Sequence, residues 1–350
     1  MVEIIKTNHK EEIKKLSENL LKNIYSDTIL TQKLNENTFN KFLLQHYFLV
    51  ENEQTLAYLA LYYNQDLRFK EKKTFTIGHY EAIENNIFAQ KIINEVAKEV
   101  KNQDGNYLIA NMKGSTWYQY RFSLHNDFPN FFLEPYHPIY YNQHFINAGF
   151  EVIERYFSSI DKIMQYDNPA ILAKEKFFFD MGVKIRTINL NDFANELQKI
   201  FIFSAKAFTQ NFLYTPIDEN VFMEQYLPLK PFLCEDFVLI AEDNQGKTIG
   251  VFFALPDRAD NQNKTLIIKS IARDADEKWQ GLGHVIGNIL YRNGKQNGFT
   301  QIIHAFMREN GYSTQISKNY GSLTILVKTL YCNKFCLFER SEKTYLWLTT

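Results

Sequence analysis

The chain has 350 residues, and at roughly 150 residues per domain this predicts about two domains with room for a large core. Thirty-nine basic against forty acidic side chains leave a net charge of −1, which excludes the electrostatic footprint of a nucleic-acid or anionic-membrane binder. Gly and Pro are few (14 and 8) while 15% of residues are aromatic, so the composition is that of a folded, aromatic-rich globular protein and not a low-complexity chain.

The first half alternates strands and helices. Residues 2–7 read as a strand, and 9–25 as an amphipathic helix with Ile13, Leu16, Leu20 and Leu21 on one stripe. Strands follow at 43–52 and 55–64, joined by a polar turn around Glu51–Gln54, and then at 72–82. A helix carrying Phe88, Ile92, Val96 and Val100 at four-residue spacing stops near Gly105. Residues 106–112 read as a buried strand, and 151–160 as an alternating strand that closes this half. Asp167-Asn168-Pro169 then breaks the chain before a connecting helix within 164–180.

The second half repeats the order. A strand at 183–190 precedes a helix through 193–208, for which Asn191 is the expected cap. Strands at 236–243 and 248–256 are joined by Asn244-Gln245-Gly246-Lys247, where Gly supplies a positive φ. A strand at 264–274, a glycine-containing loop, a helix with Val285, Ile286, Ile289 and Leu290 ending near Gly298, and a strand at 300–307 complete it. Two halves with one β-α-β-β-β-α-β order predict a divergent duplication: domains at 1–163 and 181–350 joined by residues 164–180.

Cys234, Cys332 and Cys336 are too few for a disulfide framework, and the C-x3-C pair has no companion ligands, so buried thiols are expected and no metal. The N-terminus lacks the apolar stretch of a signal peptide, and no apolar run reaches the roughly 18 residues that span a bilayer. These features predict a cytoplasmic protein.

Chemistry concentrates in the strand–loop–helix at 265–297. The loop Lys278-Trp279-Gln280-Gly281-Leu282-Gly283-His284 opens directly into a helix. Its two glycines remove the Cβ atoms that keep a ligand from the backbone, and helix N-terminal amides with Lys278 at the rim suit a pyrophosphate. A Rossmann reading fits worse, because the third glycine and the acidic residue ending the next strand are missing.

With the strand 266–272 before it, and helix, strand and Glu309-Asn310 after it, this segment resembles the GNAT N-acetyltransferase superfamily, whose acyl-CoA loop reads Q/R-x-x-G-x-G/A. Lys278 stands where that pattern has Gln or Arg. The match covers roughly 236–320, and the first half resembles a degenerate copy, with residues 83–87 lacking glycine and carrying Glu84. The resemblance implies an α/β (α+β) chain of two tandem GNAT-like domains, each a mixed central sheet flanked by helices. It also implies acetyl-CoA as co-substrate and direct acyl transfer to an amine. Residues 278–284 with Ile271 and Asn310 would bind the cofactor. The family's proton-donating Tyr position is occupied by Ser317, with Tyr312 and Tyr320 nearby, so Ser317 and Tyr320 are both candidates. Candidate bases are His304, Glu309 and Glu235, and His79 and Glu81 are candidate acceptor-cleft residues. The expected partner is a small-molecule or peptide amine, with no nucleic acid and no membrane, the chain being a monomer or homodimer. A non-catalytic acyl-CoA sensor and an aminoacyl-tRNA-dependent transferase are the alternative functions.

Overall fold

The computed structural model of the protein describes residues 1–25, 27–34, 36, 39–262, 264–309 and 323–335. In chain order the elements are β1 (Val2–Thr7), α1 (Lys10–Ile24), α2 (Asp27–Leu34), β2 (Leu43–Glu51), β3 (Gln54–Phe69), β4 (Lys72–Ala82), α3 (Asn86–Asn102) and β5 (Tyr107–Ala110). Next come β6 (Phe122–Ser123), α4 (Tyr141–Asn147), β7 (Glu151–Asp161) and α5 (Pro169–Asp180). The chain continues with β8 (Lys184–Thr187), α6 (Phe193–Ala207), α7 (Glu219–Tyr226), β9 (Val238–Glu242), β10 (Thr248–Pro256), β11 (Thr265–Arg273), α8 (Leu282–Gln296), β12 (Gln301–Arg308) and β13 (Leu323–Lys334). The expected strand and helix order is present in both halves. No helix among the described residues is long and apolar enough to cross a membrane, and none of their His, Cys, Asp and Glu side chains cluster as a metal site.

The chain forms two compact units. Among the described residues, the first comprises those of 1–114, 144–151 and 332–335, and the second those of 115–143 and 152–331. The expected boundary at 164–180 therefore falls inside the second unit. The strand expected to close the first half does otherwise: β7 pairs antiparallel with β12, Ile303 opposite Ile160 and His304 opposite Ser159. Conversely, residues at the end of β13 belong to the first unit, where Phe335 N–H donates to the Asn106 carbonyl at 2.9 Å and Asn333 Nδ2 to that of Ala148 at 3.1 Å. Alternation of apolar residues fixes that a segment is a strand and which side it buries, but not which sheet receives it.

In the first unit β1–β5 lie in sequence order, antiparallel except for a parallel β4–β5 pair. Helix α1 turns Ile13 and Leu20 onto Phe48, Val50 and Tyr58. In the second, β7, β12, β11, β10, β9 and β8 are neighbours in that order. Helix α8 and Phe178 of α5 cover one face through Leu282, Val285, Ile286 and Leu290, and α6 and α7 cover the other through Leu197, Phe203 and Phe222. Gly246 takes φ +77° in the β9–β10 turn as expected. Helix α6 is entered differently: Asn189 accepts from Asn191 N–H in a preceding 3-10 turn, and Asp192 is the N-cap residue. Cys332 is buried, and burial pushes its thiol up to about 12; Cys336 lies outside the described residues.

Both units carry the same local device. The parallel pair β4–β5 runs over Thr74–Ile77 against Tyr107–Ala110, and β11–β12 over Thr265–Ile268 against Gln301–His304. Each then stops after four residue pairs although β4, β11 and β12 continue. In the second unit both edges of the parting are bulged: Lys269 is the extra residue between Ile268 and Ser270 opposite β10, and Ala305 and Phe306 interrupt the β7 register.

Candidate functional site

The loop between β11 and α8 is built by short-range hydrogen bonds. Asp276 Oδ1 accepts from Lys278 N–H at 3.0 Å, starting a 3-10 turn that ends at Trp279. The Trp279 indole is buried, 6.3 Å from the Phe178 ring, and with Leu282 it anchors the loop in the core. Gly281 is the N-cap of α8 at φ +96°, a left-handed conformation that glycine adopts without steric cost. Because Gly281 has no side chain to cap with, the amides of Leu282 and Gly283 lie in the first turn with no acceptor among the described residues; the first main-chain bond is His284 N–H to Gly281 O, 3.0 Å.

Two cations stand at this end of α8. Lys278 is exposed, its Nζ 3.4 Å from Asp276 and 4.9 Å from the Trp279 ring centre. Lys174 reaches across from α5 and donates to the Gln280 carbonyl at 3.2 Å. Burial and the Lys174 charge hold His284 below its ordinary value. Ile271 packs against the core beneath α8. Lys174 carried no sequence signal, since it is 106 residues from its partner and sits in a segment read only as connecting helix.

The opposite face of β11, under α6 and α7, holds a small apolar recess lined by Trp117, Phe208, Phe222, Tyr226, Phe253 and Ser270. Trp117 is fixed there by its Nε1 donating to Thr215 O at 3.0 Å and by an edge-on contact with Phe222. Lys269, on the β11 bulge, is depressed to about 7, chiefly by burial and then by the neighbouring Arg121 charge.

The other candidate residues are scattered. His304 is 2% exposed beneath α8, its Nε2 2.6 Å from the Tyr291 hydroxyl, and burial depresses it to about 4. Glu309 is exposed at the end of β12. Glu235 is occupied in accepting Leu190 N–H at 2.7 Å. Asn310, Tyr312, Ser317 and Tyr320 lie outside the described residues.

His79 and Glu81 belong to an internal charge network of the first unit instead of an open wall. Glu81 accepts from Tyr25 Oη at 2.5 Å and from Lys33 Nζ at 2.7 Å, while Glu36 lies 2.8 Å from Lys113 Nζ and 3.8 Å from His79 Nδ1. His79, at φ +50° in the β4 bulge, is held well below its ordinary value by burial first and by Lys113 second. Burial pulls Lys33 down, but Glu81 and Glu36 outweigh it and leave it raised. The sequence signal for this cluster was diluted because Lys33 and Glu36 come from and beyond α2, a segment with little periodicity.

No protein-family model matches the chain, and no curated protein does. Solved structures do match. The glucosamine N-acetyltransferase region of a fungal multi-domain GH3 β-N-acetylglucosaminidase superposes with a TM-score of 0.58 at 11% identity, covering 95% of this chain and 38% of that one. A GCN5-related N-acetyltransferase from Sphaerobacter thermophilus gives 0.53 at 7% identity over 95% of both chains. A tandem GNAT protein from the clavulanic acid biosynthesis pathway gives 0.52 at 9% identity, covering 95% of this chain and 98% of that one.

Proposed function

We propose that this chain, which has the tandem GNAT fold, is an acyl-CoA-dependent acyltransferase that moves an acetyl group to an amine. One observation carries the reading: α8 begins at Gly281, with no side-chain cap and no acceptor for the Leu282 and Gly283 amides among the described residues. The N-terminus of α3 in the first unit is closed by the Asn85 side chain, which accepts from Ile87 and Phe88 N–H. Open amides, the positive end of the α8 dipole and the two lysines suit a pyrophosphate, so Leu282, Gly283, Lys174 and Lys278 would hold the CoA phosphates.

When bound, acetyl-CoA supplies an activated acyl thioester. The chain's own contribution is positioning: the recess of Trp117, Tyr226 and Ser270 orients an acceptor, and aromatic walls exclude water from it. His304, enclosed and paired with Tyr291, serves packing; the proton-donor role goes to Tyr320, with Ser317 as the substitute. The acceptor is a small-molecule or peptide amine.

Calorimetric titration with CoA, followed by thiol release from acetyl-CoA over an amine panel, tests the reading. Binding with turnover supports it. Binding without turnover on any amine favours the non-catalytic CoA binder, and an absence of binding overturns both.

A further inference from the structure

Three cations surround one ring in the second unit. Phe306 occupies φ +57° in the β12 bulge, a region costly for a residue with a Cβ, and its amide is 3.3 Å from Ser158 Oγ. Arg121 Cζ and Lys269 Nζ each lie 4.5 Å from the Phe306 ring centre, and Lys328 Nζ lies 5.3 Å from it. Among the described residues neither Arg121 nor Lys269 forms an ion pair with a carboxylate; the Asp257 charge favours the protonated Lys269 but is outweighed by burial and Arg121. Glu134 pairs with Lys328. Asp257 is engaged by the amides of Phe132 and Ala259, at 2.8 and 2.9 Å from its Oδ1.

Among the described residues, Arg121 and Lys269 face mainly aromatic rings. The guanidinium, 7% exposed, lies 3.9 Å from the Tyr120 ring centre and 4.3 Å from that of Tyr156. Its Nε donates to Tyr120 O at 3.3 Å, and its buried Nη1 has no hydrogen-bond partner among the described residues. Among the described residues Lys269 Nζ meets the Phe131 and Phe306 rings at 5.9 and 4.5 Å and has no hydrogen-bond partner. Aromatic faces solvate a cation but cannot satisfy N–H donors, and the Arg121 charge works against that of the half-buried Lys269. A compact oxyanion between them would satisfy both defects with charge-assisted hydrogen bonds, in a place where low polarity strengthens each one.

We propose that Arg121 and Lys269 form an oxyanion-binding site at the parting of β11 and β12, and that the acceptor amine carries a carboxylate or phosphate that seats there. The acceptor clause rests on the acyltransferase reading; the anion site does not.

Side-chain NMR of isotope-labelled lysine on the full chain, with Lys269→Met used to identify the signal, tests the anion site without turnover. Inorganic phosphate, acetate, L-alanine and O-phosphoethanolamine are the anionic probes, and ethylamine and ethanolamine the neutral controls. The expected result is a rise of about one pH unit in the Lys269 midpoint with anions, a tenfold change in its proton affinity, and none with the controls. In thiol-release assays L-alanine should exceed ethylamine, or O-phosphoethanolamine exceed ethanolamine, by at least about tenfold in kcat/KM, and Lys269→Met should bring the ratio towards one. Which pair discriminates tells carboxylate from phosphate. A Lys269 signal that ignores every anion overturns the site whatever the turnover. A responsive signal with preferred transfer to neutral amines overturns the acceptor assignment. A responsive signal with no transfer at all leaves the anion site standing and removes the acyltransferase reading beneath it.

Discussion

Lys174 and Gly281 are in close approach: a Cβ built on Gly281 would stand 2.5 Å from the Lys174 Nζ. The loop at the head of α8 is thus held from outside by a side chain of α5. The φ of +96° adds a second constraint, because an L-residue pays about 1–2 kcal/mol there. Gly281→Ala should therefore lower stability by about 1 kcal/mol and weaken CoA at least about tenfold, about 1.4 kcal/mol. Calorimetry on the folded variant checks this, and unchanged affinity would remove the loop from the binding site.

Lys174 itself is exposed, so its contribution should be modest and screened by salt. Lys174→Gln should weaken CoA about two- to fivefold at low ionic strength, with the difference shrinking as salt is added. The same loss at high salt would mean that Lys174 acts by shaping the loop and not by its charge.

The two units should differ in CoA binding because they differ in a cap. Asn85 Oδ1 lies 3.0 Å from Ile87 N and 3.2 Å from Phe88 N, which consumes the donors a phosphate would use. One CoA per chain is expected. Asn85→Ala should cost about 1 kcal/mol of stability without opening a second site, since residues 83–87 also bring Glu84. A stoichiometry of two would contradict the assignment.

His46, His144 and His304 are buried and held neutral, each pushed by burial to about 4 from an ordinary 6.5. The unfolded chain therefore binds more protons between those values. Stability is full above about pH 6.5 and falls as the pH drops towards 4, by about 3 kcal/mol for each such group. The urea midpoint should decline across that window, and His304→Gln should decline less. A midpoint flat from pH 7 to 4.5 would contradict these environments.

Tyr320→Phe should lower turnover by roughly 10²-fold with CoA affinity retained, and an equal loss in Ser317→Ala instead would transfer the proton-donor role.

Much of the architecture is legible in the sequence because its signals are local. The stripe of Ile92, Val96 and Val100 and the turn at Gly246 each specify an element by themselves. The loop from Lys278 to Gly283 is legible for the same reason. What escapes is decided by partners far along the chain. Lys174 matters through Gln280, and Glu81 through Tyr25 and Lys33. Lys269 escapes for another cause: a lysine in a strand reads as an outward residue until a bulge turns it inward.

The placement of residues 332–335 bears on how the protein is made. The carbonyls of Asn106 and Ala148 in the first unit accept hydrogen bonds from Phe335 and Asn333, in a segment more than 200 residues beyond β5. During synthesis at about 5–20 residues per second, the first unit waits tens of seconds with that edge unpaired, exposed to other chains. The second unit needs β7, which leaves the ribosome long before β12 arrives to pair with it. Truncation at residue 163 would thus yield one unit lacking its closing segment and a strand without its sheet, a pair of orphans prone to associate.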